Sequence, residues 1–78
     1  MNEKLEFTIR ENYSSLRKSE KKAADYLLSY QGDGRELTLE LFADGAGVSQ
    51  PTVLRFIRAL GYQGFKDFRY ELVREEDR

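Results

Sequence analysis

The 78-residue chain has no cysteine, no histidine, no tryptophan and only one proline. Without cysteine there is no disulfide and no thiolate metal site. Without histidine the imidazole ligand and the commonest acid–base catalyst are missing too. No pair of carboxylates falls in a cleft-like pattern, so neither an enzyme nor a bound metal or cofactor is expected. No apolar run approaches the length of a bilayer span, and the opening MNEKLEF has no signal-peptide pattern. A cytoplasmic protein without a membrane partner is therefore expected. The glycine-containing loop at residues 31–36, QGDGRE, lacks the GxxxxGK[ST] order and follows no strand, which removes the case for a nucleotide loop.

What is present suits one small domain spanning residues 1–78. Hydrophobic residues make up 40% of the chain, and five phenylalanines and five tyrosines can fill a compact core. The most patterned stretch is residues 38–61, TLELFADGAGVSQPTVLRFIRALG. Thr38 is a good N-cap for a helix that buries Leu39, Phe42, Ala43 and Ala46. Gly47 permits the positive φ of a sharp reversal, and Val48 plugs the space between the arms. Ser49 caps a second helix, residues 49–60, whose apolar face is Val53, Phe56, Ile57 and Leu60. Gly61 stops it. Ala43 supplies the small contact that two steeply crossing helices need. An ordinary helical hairpin would share the glycine turn, but the combination predicts a helix-turn-helix whose second helix enters a DNA major groove.

The flanking segments also read as helices. Residues 3–14 carry Leu5, Ile9 and Tyr13 on one stripe, with Leu16 set beside the next helix start. A covering helix accounts for this segment, and Phe7 alone, off the stripe, suggests a dimer-forming strip. Ser19 with Glu20 signals the start of a helix that buries Ala23, Ala24, Leu27 and Leu28. Lys21, Lys22 and Asp25 read as its solvated face. Leu37 and Leu41 are expected to face that helix, leaving Glu40 and Asp44 exposed. After Gly61 and Gly64, Phe65, Phe68 and Leu72 mark a last helix. Its aromatics read as core anchors rather than base-stacking platforms, because the cations fall off their stripe. The tail REEDR has no apolar anchor and is expected to fray.

Net charge is −1, which by itself argues against a nucleic-acid partner. The distribution argues the other way, since residues 49–70 set Arg55, Arg58, Lys66 and Arg69 against Asp67 alone. Such a patch suits a specific binder with weak nonspecific affinity. With the apolar face inward, Gln50, Pro51, Thr52, Leu54, Arg55 and Arg58 are left outside. Gln50 suits an adenine edge and Arg55 a guanine edge, each bidentate. Thr52 suits a phosphate or a thymine methyl, Leu54 an apolar contact, and Arg58 the backbone. Pro51 stiffens the first turn, where its missing N–H costs nothing. Ser49 and Thr38 double as caps and as phosphate contacts at helix N-termini. No acidic residue lies between Ser49 and Lys66, so no local partner is expected for the two arginines. A helical protein–protein module without DNA readout is the alternative.

The stretches LRKSEKKAADYLL and GVSQPTVLRFIRALGYQGFKDFRYEL, with the helix between them, resemble the N-terminal domain of RpiR-type bacterial transcriptional regulators. The joint occurrence of VSQPTVLRF and LGYQGFKDF carries the likeness, which runs from Leu5 to Val73. The resemblance implies an all-α, five-helix, homeodomain-like fold and sequence-specific binding of double-stranded DNA, generally as a homo-oligomer such as a dimer. It places Ser49, Gln50, Thr52, Arg55 and Arg58 at or near the DNA. In that family a sugar-isomerase-like domain usually follows and senses phosphorylated sugars. The chain ends at Arg78, before such a domain begins, so a phosphosugar effector is expected to act only through a domain outside it. Two departures stand out. Ala23 replaces a larger aliphatic, which is expected to loosen packing. Gly45 in FADGAG is expected to cost up to ~1 kcal/mol and to shorten its helix.

Overall fold

The computed structural model describes residues 2–74. They form α1 (Glu3–Asn12), α2 (Lys18–Ser29), α3 (Leu39–Ala46), α4 (Gln50–Ala59) and α5 (Phe65–Arg74). Short 3-10 turns occupy Tyr13–Ser15 and Gly34–Glu36, and no strand occurs among the described residues. The five-helix, all-α expectation is met. Arg74 closes α5, and the rest of the tail expected to fray, residues 75–78, lies outside the described residues. No helix among the described residues is long and apolar enough to cross a membrane.

One aromatic side chain gathers the elements. Phe42 of α3 is fully buried, with ring centroids 5.6 Å from Tyr26, 6.1 Å from Phe56 and 6.0 Å from Phe68. It thereby touches α2, α4 and α5 at once. Leu5 and Ile9 of α1 close the same core from outside, and Leu16 is buried where the chain enters α2. Helix α2 lies against both α3 and α4, and its inner face carries the small side chains of Ala23 and Ala24. Ala23 has no exposed surface.

The starts and stops follow side-chain chemistry. Thr38 Oγ1 accepts from the Leu41 N–H at 3.1 Å and opens α3 as expected. Gly47 sits at φ 72°, where the Val48 N–H reaches the Ala43 carbonyl and the Gly47 N–H reaches that of Asp44. This is a Schellman stop. The same pair of bonds recurs after α4, from Tyr62 to Ile57 and from Gly61 to Arg58. Helix α2 differs from expectation. It starts at Lys18 with Arg17 as its N-cap residue, not at Ser19, because Glu20 reaches back to accept the Arg17 N–H at 3.0 Å. Helix α1 starts at Glu3 as expected, but its Asn2 cap was not anticipated. Asn2, nearly buried, accepts from the Leu5 N–H at 2.7 Å and donates to the Glu71 carbonyl of α5, where Lys4 also pairs with the Glu71 carboxylate at 3.5 Å.

Two further expectations are corrected. Leu41 is 54% exposed, whereas Leu37 is buried as expected. A helix turning 100° per residue puts positions 39, 42, 43 and 46 inward and position 41 opposite. Gly45 does not shorten α3, which runs on to Ala46. A Cβ at that position would stand 2.4 Å from the Tyr26 ring, so the bare glycine is what lets Tyr26 lie across the helix.

Two phenols titrate late. Burial pushes the Tyr62 phenol up, helped by the carboxylates of Glu71 and Asp67. Tyr13 is raised by its 2.8 Å hydrogen bond to Asp25. Each holds its proton more tightly folded than unfolded. Its contribution is thus complete below the unfolded value of about 10 and is lost as pH climbs through the folded one. Tyr62→Phe, which keeps the ring against Phe68, is expected to shift alkaline unfolding to higher pH. Circular dichroism across an alkaline titration checks this; an unchanged midpoint would count against it.

Candidate nucleic-acid interface

Helix α4 is divided sharply between two environments. Val53, Phe56 and Ile57 have no exposed surface, and Leu60 has almost none. Gln50, Pro51, Arg55 and Arg58 face solvent, and Leu54 is half-buried. The helix starts where Ser49 Oγ accepts from the Thr52 N–H at 3.2 Å, with Pro51 in the first turn. Ser49 and Thr38 are both exposed, so α3 and α4 each present a hydroxyl-capped N-terminus to solvent. Unsatisfied N–H groups and the helix dipole make such ends receptive to anions.

Thr52 departs from its expected place. It is 5% exposed and does not stand on the outer face. Its hydroxyl lies 3.0 Å from Ser49 Oγ and accepts a 2.9 Å hydrogen bond from Arg55 Nη2. Three residues after the cap, it is turned away from solvent. A thymine methyl therefore cannot meet it directly without moving these partners.

Arg55 has no acidic partner along its own helix, as expected, but Glu20 Oε2 of α2 lies 3.9 Å from its Nε. The acid comes from a helix remote in sequence, which is why a scan along α4 misses it. Even so, the Arg55 side chain remains 49% exposed. Arg58, one turn nearer the C-terminus, projects from the last turn of α4.

The remaining charged residues of the stretch 49–70, Lys66, Asp67 and Arg69, lie on α5. Arg69 donates to the Arg35 carbonyl in the second 3-10 turn, and Asp67 accepts from the Gln63 N–H at 3.3 Å at the approach to α5. Phe68 is fully buried and Phe65 partly so, which makes them core anchors rather than stacking platforms. The arginines available on the outer face of α4 are Arg55 and Arg58.

This arrangement can offer hydrogen-bond donors and one amide to an extended, polar, anionic surface. The sequence comparisons point the same way. The chain matches the helix-turn-helix domain of the rpiR family over residues 3–77. It is 44% identical over 64 residues, 82% of its length, to the uncharacterized HTH-type transcriptional regulator YfhH of Escherichia coli K12. It is 40% identical over 60 residues, 77% of its length, to an uncharacterized HTH-type transcriptional regulator of Haemophilus influenzae. Over 65 residues, 83% of its length, it is 39% identical to the bifunctional protein glk of Burkholderia mallei. These matches span 23%, 21% and 10% of the three relatives, so the chain corresponds to less than a quarter of each.

Proposed function

Because this chain belongs to the rpiR family of helix-turn-helix domains, we propose that it is the DNA-reading part of a transcriptional regulator, with α4 docked in a major groove. The observation that carries this is the division of α4. An inner face sealed by Val53, Phe56 and Ile57 fixes how Gln50, Arg55 and Arg58 are turned outward. Gln50 addresses an adenine edge and Arg55 a guanine edge, while Arg58, Ser49 and Thr38 hold phosphates. Pro51 stiffens the leading turn and Leu54 adds an apolar contact at the groove wall. Thr52 serves this surface from beneath, through Arg55.

Two finer parts belong to the same proposal. A homodimer on a two-fold related site suits a domain this small, and a sugar-phosphate effector would act through the remainder of a longer protein. Selection of bound duplexes from a random pool tests the whole reading. Enriched half-sites centred about 34 Å apart are the expected result. A pool that remains random at moderate salt would overturn it.

A protein-docking module without DNA is a second reading, favoured by exposed Phe7, Leu41 and Tyr70 on α1, α3 and α5. Under that reading substitutions on α4 leave partner capture unchanged.

A further inference from the structure

The side chains behind Arg55 form a connected set. Glu20 is 7% exposed and is held in place by its bond to the Arg17 N–H. Its second oxygen lies 3.9 Å from Arg55 Nε. Thr52, also buried, takes Arg55 Nη2 at 2.9 Å and meets Ser49 at 3.0 Å. The guanidinium is thus approached from the protein side by a carboxylate on one helix and a hydroxyl on its own. A guanidinium has five N–H donors in a rigid plane, and these two contacts leave others pointing to solvent. From this geometry we infer that Glu20 and Thr52 are positioning residues for Arg55, setting the direction of its outward edge before any DNA arrives. The inference rests on the proposed base-reading role of α4.

The physical consequence concerns selectivity. A free arginine on an exposed helix keeps its rotamer entropy until it binds, and it binds any phosphate within reach. A guanidinium braced at two points loses less freedom on meeting a guanine edge. The nearby carboxylate also offsets part of its charge toward phosphates, so the bracing favours base recognition over indiscriminate attraction.

Glu20→Gln and Thr52→Val test this in the 78-residue chain. Glutamine keeps an acceptor for the Arg17 N–H but removes the charge facing Arg55, and valine removes the hydroxyl at nearly constant volume. Each is measured for binding to a preferred duplex and to one altered at the base pair that Arg55 reads. Circular dichroism melts verify folding, and the Arg55 Nε–H is followed by NMR relaxation in the free protein. Discrimination is expected to fall about tenfold in either variant, with binding to the altered duplex unchanged or tighter. The Arg55 Nε–H is expected to become more mobile, and neither substitution should reduce discrimination further once Arg55→Ala is present. Retained discrimination in folded Glu20→Gln and Thr52→Val, or an equal loss on both duplexes, overturns the positioning role alone. A wild-type chain that shows no preference among duplexes overturns the base-reading proposal on which it stands.

Discussion

Arg55→Ala is expected to weaken binding to a preferred duplex by roughly five- to a hundred-and-fiftyfold, the range for one lost bidentate base contact. Binding to random duplex should fall far less. Salt dependence separates the two ways this arginine can act. An arginine that mainly neutralised a phosphate would lower the slope of log affinity against log salt by about 0.9 on removal. One that mainly reads a base edge leaves that slope nearly unchanged. Alanine is the better probe than a charge reversal, because a glutamate at this position would face Glu20 from the place where Arg55 now stands. Titrations of both duplexes at several salt concentrations decide the matter, and equal losses on the two would remove Arg55 from the reading surface.

A larger effect on stability is expected from Phe42→Ala. Truncating a fully buried phenylalanine costs about 3–5 kcal/mol. A domain of this size holds roughly 4–12 kcal/mol in all. The expected fall in melting temperature is therefore on the order of 15–30 °C, enough to leave much of the protein unfolded near body temperature. Three neighbouring rings lose their partner together: Tyr26, Phe56 and Phe68. Phe7→Ala, at a site 65% exposed, serves as the contrast and should change stability by no more than about 0.5 kcal/mol. Similar melts for the two variants would mean the core is not organised around Phe42.

The helical plan was legible because its signals are local. A stripe at helical spacing, a hydroxyl cap and a glycine stop each concern residues within one or two turns, and α3 and α4 begin and end where those signals lie. The misreadings share another origin. Ser19 has the side chain of a cap, but Glu20 reaches back to Arg17 and makes that residue the N-cap. Leu41 looked buried because it is a leucine, although its angle around α3 faces it outward. Thr52 looked exposed because it is polar, yet Arg55 and Ser49 satisfy its hydroxyl beneath the surface. The pairing of Glu20 with Arg55 joins residues far apart in sequence, and no periodicity records it. Gly45 looked like a weak point in isolation, and only the Tyr26 ring above it supplies the reason.

The two glycine-terminated stops, one before and one after α4, have a consequence for how much DNA a single copy can read. They fix α4 at ten residues, a rod about 15 Å long. At about 3.4 Å per base step, that length lies beside some four base pairs. A word so short recurs throughout any genome. On the proposed reading of α4, address-level selectivity comes from combining copies, and lengthening the rod is barred by the chain reversals at its two ends.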